Sequence, residues 1–267
     1  MAPGTPGSPW PVGRISVMTA QPDAFDLPPR RRAERLSVAV VTELVELIVT
    51  GQLAEGQLLP PEGPLSEHFG VSRTVIRESA KRLEEKGLVI IAQGRGTQVA
   101  RSGLWNMLDP VVLSALIDND ESLGILDELT VVRGHLEAAM AGAVAAHRTA
   151  DELVRLEHAL EVMREMQHES DSFRQADVVF HLTVMELSGN RLAENIAKRL
   201  YLRALESTRF QGVRYEDAFR STIDEHAVVL DAIKRQDAAV AEQAMREHII
   251  GSWRRRRFEP VRTDPEN

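Results

Sequence analysis

The sequence predicts a mainly α-helical protein with two parts: an N-terminal winged helix-turn-helix with a small β wing, and a C-terminal all-α antiparallel helical bundle. The stretch 58–99 predicts the first part, because it reads as a short helix, a tight turn, a longer helix and two short strands. Beyond residue 108, every segment has apolar residues at helical spacing, with Ser, Gly, Asn and Asp between segments. Helices joined by short polar turns pack as antiparallel neighbours, which predicts the second part.

Local signals place the elements of the first part. A first helix is predicted over residues 35–49 from its apolar spacing. A second, short helix is predicted over residues 65–69. Pro64 suits its first turn, and Gly70 can adopt the left-handed conformation that ends a helix. Ser72 is a good N-cap for the longer helix, which Gly87 ends. The predicted strands of the wing are 88–92 and 97–100, joined by a turn at 93–96.

The second part reads as a series of helices, and composition shifts set the boundaries of the whole chain. We predict a disordered tail at 1–33, rich in Pro and Gly, in which Met18 is an alternative start. The winged domain is predicted at 34–101, a linker at 102–108, the all-α domain at 109–257 and a C-terminal tail at 258–267. The predicted helices of the all-α domain are 109–117, 123–147, 151–169, 172–188, 192–210, 215–235 and 238–256.

Composition and charge exclude several classes of protein. With 43% apolar residues and no Cys, the chain is an ordinary globular protein without disulfide or thiolate chemistry. It has no apolar run of about 20 residues and no signal peptide, so we expect a cytoplasmic protein with no membrane partner. The net charge of −8 is concentrated in residues 102–267, which hold twenty Lys and Arg against twenty-nine Asp and Glu. The winged domain is close to neutral, and its cations lie on its longer helix and wing.

The start of the longer helix carries side chains suited to DNA. A helix-turn-helix places the beginning of its second helix in the major groove. Here that beginning is Ser72, Arg73 and Thr74, with Arg77 one turn further on. These residue types bond base edges and phosphates. A basic arm at 30–32 would add affinity that is blind to sequence, although a solvated basic tag is the simpler interpretation.

This stretch resembles the winged-helix domain of the GntR family of bacterial transcription regulators. The matching residues are Gly56, Leu59, Pro60, Glu62, Leu65, the run 69–74, Val75 or Ile76, Arg77, Glu78, Leu83, the run 87–89, Gly94, Gly96 and Thr97. In one departure, Gly63 stands where members often carry an Arg that can touch DNA. The resemblance implies double-stranded operator DNA as a partner. The expected DNA-binding residues are Arg35, Ser72, Arg73, Thr74, Arg77, Gly94, Arg95 and Thr97.

Four residues of the second part form a candidate metal site. Asp177 and His181 share a helix face at spacing i, i+4, while His226 and His248 lie on the last two helices. Imidazole is the usual ligand of zinc and nickel, and helices of a bundle can gather such groups in their core. The spacing by itself is weak evidence, because a lone His is more often a packing or surface residue.

The second part resembles the all-helical FCD domain of the FadR-type branch of this family. Trp105-Asn106 and Leu108-Asp109-Pro110 resemble the start of that domain. The branch commonly binds a divalent metal through one Asp and three His, and Asp177, His181, His226 and His248 match all four positions. The resemblance therefore implies a divalent metal cofactor. Zinc is favoured, and nickel or manganese are the alternatives.

The same resemblance implies an effector site. In the family, the Arg of a Val-Arg-x-x-x-Glu run faces the ligand pocket. The matching run here is 132–137, so that Arg corresponds to Arg133, with Glu137 on the same helix face. An Arg fork suits a carboxylate, although an intrahelical Arg–Glu pair is the simpler interpretation. We expect the effector-binding residues to be Arg133, Glu137 and Asn190, and the effector to be a small carboxylate such as a sugar acid, hydroxy acid or dicarboxylate.

These features predict a ligand-responsive transcription regulator, a homodimer that represses a catabolic operon. HTH dimers bind two-fold sites, so a short palindrome is expected. A metal-dependent enzyme acting on small acids is the alternative, because an open metal position can activate water. A constitutive DNA-binding protein whose helical domain only dimerises is a third interpretation. The basic run 254–257 is predicted to complement the dipole of the last helix, with nucleic-acid contact as the alternative.

Overall fold

The computed structural model describes residues 32–92, 94–207, 210 and 216–257. Some predictions fall outside these ranges: the tail at 258–267, most of the tail at 1–33, Gln93 of the wing turn, residues 208–209 of the helix predicted at 192–210, and residue 215 of the helix predicted at 215–235. In the described part, no helix is long and apolar enough to cross a membrane. The elements are α1 Arg32–Val49, α2 Glu62–Phe69, α3 Arg73–Glu85, β1 Val89–Ala92, β2 Gly96–Val99, α4 Pro110–Asn119, α5 Gly124–His147, α6 Ala150–Glu165, α7 Ser170–Leu187, α8 Arg191–Glu206, α9 Glu216–Lys234 and α10 Ala238–Arg257.

The predicted fold class is confirmed, and the differences concern helix ends. Helix α1 begins at Arg32, so the last residues of the predicted tail are helical. Helix α2 begins at Glu62 rather than at residue 65, which puts Pro64 inside its first turn, where a missing N–H is tolerated. Helix α8 ends before Ser207, whose backbone is extended, and not at residue 210. Helix α6 ends at Glu165, four residues earlier than predicted.

The turn signals of the winged domain act as predicted. Gly70 ends α2 with φ of 63°, in the left-handed region. Ser72 caps α3, and its side chain accepts a hydrogen bond from the backbone N–H of Val75. Strands β1 and β2 pair antiparallel, with Val89 opposite Val99, and form the wing. Val75 near the start of α3 packs in the same hydrophobic core as Val89 and Val99 of the wing.

Helix α4 contributes to two hydrophobic cores. Val112 and Ala115 pack into the core of the winged domain, which is built from α1, α2, α3 and the wing. Leu113 and Ile117 pack into a second cluster with side chains of α5, α7, α8 and α10. Successive residues of one helix point to different sides, so α4 has apolar residues facing both parts of the chain. The predicted division between the domains at 102–108 therefore lies before a helix that both parts share.

The predicted linker packs closely on the end of α3. Asp109 caps α4 through one carboxylate oxygen, which accepts from the N–H of Val111 at 2.9 Å, while its other oxygen accepts from Lys86 Nζ at 2.6 Å. Lys86 is the C-cap of α3. Gly87 has φ of 72°, and a Cβ built there would lie 2.1 Å from the carbonyl oxygen of Leu104. The end of α3 and the start of α4 are thus fixed to each other.

The second part is confirmed as all-α, and α5 is its central helix. Helix α5 packs against α7, α8, α9 and α10, with its most extensive contact to α10. Aliphatic side chains and Phe173 and Phe180 form the core between α5, α6, α7, α9 and α10. The scarcity of aromatic residues predicts such a mostly aliphatic core. Polar residues of α5, α7, α9 and α10 that point inward must therefore meet near the centre of the bundle.

Candidate metal centre and DNA-binding surface

Four polar side chains meet inside the bundle. Asp177 and His181 come from α7, His226 from α9 and His248 from α10, and one possible ligand atom from each lies within 4.8 Å of all the others. The Nε2 atom of His181 is 3.3 Å from Nε2 of His226 and 3.2 Å from Nε2 of His248. Asp177 Oδ1 is 3.7 Å from Nε2 of His226. The structure thus brings together all four residues of the predicted metal set.

Two glutamates fix which nitrogen of the imidazoles faces the cluster. His181 Nδ1 lies 2.7 Å from Glu137 Oε2, and His248 Nδ1 lies 2.8 Å from Glu225 Oε2. A carboxylate accepts hydrogen bonds, so each Nδ1 must carry the proton. In a neutral ring the Nε2 atom then holds a lone pair. The lone pairs of His181 and His248 consequently point at the same small space, an arrangement that favours a cation there.

Burial favours the neutral form of two of the imidazoles, those of His226 and His248. Burial lowers the pKa of His226 well below its usual value, and the charges of His248 and His181 lower it further. Burial also lowers the pKa of His248, although its bond to Glu225 acts in the opposite direction. For Glu137, burial would raise the pKa, but Arg133 and His181 outweigh it and the pKa is lowered. Neutral imidazoles beside ionised carboxylates are the protonation states that metal ligation requires.

The geometry of these atoms fits a divalent ion. In the described part of the chain, the buried Asp177 Oδ1 has no hydrogen-bond partner. Zinc–nitrogen bonds of about 2.0–2.1 Å at the tetrahedral angle would separate two ligand nitrogens by about 3.3 Å. The Nε2 separations of 3.2 and 3.3 Å agree with that spacing. A donor set of one carboxylate and three imidazoles suits zinc, nickel or manganese.

Arg133, Glu137 and Tyr201 surround this cluster. Arg133 and Glu137 are 3% and 1% exposed, and Arg133 Nε donates to Glu137 Oε1 at 2.7 Å. The guanidinium carbon of Arg133 lies 3.7 Å from the centre of the Tyr201 ring. The Tyr201 hydroxyl donates to Asp177 Oδ2 at 2.8 Å. Arg133 therefore lies beside the metal set and is also paired with Glu137, so the two interpretations of this pair are compatible.

The remaining effector candidate lies elsewhere, and two residues of the site were not predicted. Asn190 is exposed, and its side chain caps α8 by accepting from the N–H of Ala193 at 3.1 Å, so its effector role stays a prediction.

Glu225 and Tyr201 hold His248 and Asp177 from neighbouring helices. Glu225 directly precedes His226, which is a weak signal, and the sequence pattern offers none for Tyr201.

The DNA-binding candidates of α3 are exposed at its start. Ser72, Arg73 and Thr74 are all exposed on the first turn. Arg77 is exposed as well and forms a two-point ion pair with Glu62, with Nε to Oε1 at 3.0 Å and Nη2 to Oε2 at 2.8 Å. This pair joins α2 to α3 and orients the guanidinium. An exposed pair of this kind can open at little cost, which leaves Arg77 available to phosphate.

The wing and α1 hold the other DNA-binding candidates. Gly94 and Arg95 are exposed at the hairpin turn, where Gly94 has φ of 74°. Thr97 is half-buried on β2, opposite Ile91. Arg35 is exposed on α1. The structure places these residues on the winged domain, and their contacts with DNA stay a prediction.

Comparison with known proteins covers both parts of the chain. Residues 36–99 match the family described as bacterial regulatory proteins, gntR family, and residues 128–251 match the FCD domain. The galactonate operon transcriptional repressor of Escherichia coli is 32% identical over 218 residues, which are 81% of this chain and 94% of that protein. The HTH-type transcriptional repressor NanR of Cronobacter sakazakii is 26% identical over 234 residues, 82% of this chain and 86% of that protein. A solved structure of Lar, described as controlling expression of the Listeria monocytogenes agr system, is 18% identical with a TM-score of 0.52. It covers 84% of this chain and 98% of its own, and it shares the fold.

Proposed function

We propose that this protein is a metal-containing repressor of a catabolic operon. The premise is that the chain belongs to the GntR family of bacterial transcription regulators and carries an FCD domain. In this proposal a small carboxylate is the effector, and the protein binds a two-fold operator as a homodimer. The observation that carries the proposal is the convergence of three buried imidazoles and Asp177 beside the guanidinium of Arg133. The relatives described above are named as repressors and not as enzymes, which argues against the metal-dependent enzyme.

Asp177, His181, His226 and His248 would hold the metal, and Arg133 would bind the effector. The ion, when bound, supplies a positive centre that attracts a carboxylate. The guanidinium of Arg133 lies over the ring of Tyr201, whose hydroxyl bonds Asp177, and it offers the planar fork that a carboxylate prefers. Glu137 orients both Arg133 and His181, so it links the two binding groups.

Helix α4 offers a route from this site to the DNA-binding domain. Tyr201, which bonds Asp177, packs in the same cluster as Leu113 of α4. The other end of that route is Asp109, whose carboxylate caps α4 and pairs with Lys86 at the end of α3. An effector that binds one arrangement of α4 better than another would shift the position of α3.

The direct test starts from DNA sequences selected by the purified, zinc-loaded protein from a random pool. We expect a short palindrome, a dimer by sedimentation on that DNA, and release when sugar acids or dicarboxylates are added. The His226→Ala variant is expected to lose zinc by elemental analysis and to lose this response, because a ligand is removed.

The Arg133→Lys variant is the matched control, since it keeps the metal ligands and the positive charge but not the fork. It is expected to retain zinc and to respond only at higher acid concentration. Selection of no DNA sequence, or full release from the zinc-free variant, would overturn the proposal.

A further inference from the structure

Arg256 differs from the other arginines in the basic run at the end of α10. Arg255 forms an ion pair with Glu225 at 2.8 Å, and Arg257 forms one with Asp127 at 2.8 Å. Arg254 is exposed. In the described part of the chain, Arg256 has no such carboxylate contact; its Nε donates to the backbone carbonyl of Ser252 at 3.2 Å.

The guanidinium of Arg256 packs against a ring of the hydrophobic cluster that contains Tyr201. Its carbon lies 4.4 Å from the centre of the Phe210 ring, and Phe210 is buried in the same cluster as Tyr201. Tyr201 in turn bonds Asp177 and carries Arg133 over its ring. Burial lowers the pKa of Arg256, while Tyr201 and Asp177 act to raise it and Arg133 to lower it, so these groups are within electrostatic reach.

The charges around the site are balanced before an ion is added. Asp177 and Glu137 contribute two negative charges, and Arg133 and Arg256 contribute two positive charges. Glu225 is already paired with Arg255. A divalent ion therefore brings two positive charges that no described group of this set neutralises. Charge in a largely buried site is costly unless it is paired, so a ligand with two negative charges would balance the loaded site.

We propose that Arg256 is a specificity-determining residue of the effector site and that the effector is a dianion, with one acid group at the metal and Arg133 and a second at Arg256. This inference rests on the proposed function and narrows its effector class from small carboxylates to acids with two negative charges. A guanidinium fork with free N–H groups suits a carboxylate or a phosphate equally well. A monocarboxylate would leave Arg256 without a counter-ion.

The test compares acids of the same carbon skeleton that differ by one carboxylate. Gluconate and glucarate, and galactonate and galactarate, are titrated by calorimetry into the zinc-loaded full-length protein. 6-Phosphogluconate is the phosphate arm, in which a phosphate of about 1.5–2 negative charges takes the place of the second carboxylate. We expect at least one two-charge acid to bind about tenfold or more tightly than its one-charge partner, the gain of a charge-assisted pair. In Arg256→Gln this ratio should fall to about one, and Arg256→Lys should restore part of it.

Arg254→Gln is the matched control, because it removes one positive charge from the same run at an exposed position. It should keep the wild-type ratio. Equal or tighter binding of the one-charge acids by the wild type would overturn the inference while leaving a carboxylate-responsive repressor intact. An unchanged ratio in Arg256→Gln would make Arg256 a packing residue on Phe210 only. Binding of none of these acids would count against the proposed effector class and this inference together.

Discussion

Replacing Glu137 by Gln would change the candidate metal site without touching any of its four proposed ligands. Glu137 accepts from Arg133 Nε at 2.7 Å with one oxygen and from His181 Nδ1 at 2.7 Å with the other. A carboxamide has a single oxygen, so it can serve only one of these donors. The buried guanidinium makes the stronger demand, because hydrogen bonds to charged groups contribute about 1.5–3 kcal/mol against about 0.5–1.5 kcal/mol for neutral ones.

The amide oxygen should therefore turn toward Arg133 and the amide NH2 toward His181. His181 Nδ1 would then have to accept, and the ring proton would move to Nε2, the atom that faces His226 and His248. Metal binding must reverse this tautomer at a cost of about 1–2 kcal/mol, the difference between the two kinds of bond. We expect zinc affinity to fall about 5- to 30-fold, in the lower range of measured effects for residues that orient metal ligands.

Competition with a chromophoric zinc chelator measures this change. Glu225→Gln, which acts on His248 in the same way from a half-buried position, should give a smaller loss. Glu186→Gln is the control, since Glu186 is exposed and pairs with Arg155 on the surface. Wild-type zinc affinity in a folded Glu137→Gln protein would refute the tautomer argument, and equal losses in all three variants would make the effect one of net charge.

Three further predictions concern other parts of the chain. Arg77→Ala should weaken operator binding and reduce the slope of log Kd against log salt concentration by about 0.9, the loss of one phosphate contact. Glu62→Gln should strengthen binding, because it frees Arg77 from its ion pair. Filter binding across a salt series checks both variants, and an unchanged slope in Arg77→Ala would contradict the phosphate contact. Gly87→Ala should lower the free energy of unfolding, measured by urea titration, by more than about 2 kcal/mol, because the left-handed conformation alone costs about 1–2 kcal/mol and the new Cβ would meet the Leu104 oxygen. Gly51→Ala is the control: Gly51 has φ of 75° with open space around it, so this variant should show the conformational cost alone. The zinc-free protein should lose stability as pH falls below about 6.5, because the unfolded chain then binds protons at His226 and His248 while their lowered pKa values keep the folded protein from doing so. The free energy of unfolding should change by at most about 1.4 kcal/mol per pH unit for each histidine. Equal urea midpoints at pH 7.5 and 5.5 would count against this prediction.

The sequence predicted the features whose signals are local. Gly70 and Ser72 act within a few residues of their own position, and Gly87 ends α3 through its own left-handed backbone, so the helix-turn-helix is readable from local signals. The close approach of Leu104 to Gly87 has no such local signal. The metal set came from a family resemblance, since spacing along the chain only placed Asp177 and His181 on one face. The convergence of His226 and His248 on that face depends on how α9 and α10 pack against α7 and α5.

The features that the sequence did not predict depend on contacts between distant segments. Glu225 orients His248 across two helices, and Tyr201 reaches Asp177 from α8. Nothing in the run 254–257 distinguishes Arg256, which differs from its neighbours only because Phe210 lies beneath it. The predicted domain boundary places α4 in the second domain. Apolar residues at 111–113 and 115–117 nevertheless leave this helix hydrophobic on most sides, a pattern typical of a helix buried between two layers.

That shared helix bears on how such regulators could exchange their parts by recombination. A crossover in the linker at 102–108 would give the incoming winged domain a foreign α4, with new side chains where Val112 and Ala115 fill its core. A crossover after Asn119 would instead give the host bundle a foreign partner for the cluster that Leu113 and Ile117 complete. Either junction leaves one core mismatched, at a cost of about 1–3 kcal/mol for each badly fitted side chain. A functional chimera would therefore need a hybrid α4, with one face inherited from each parent.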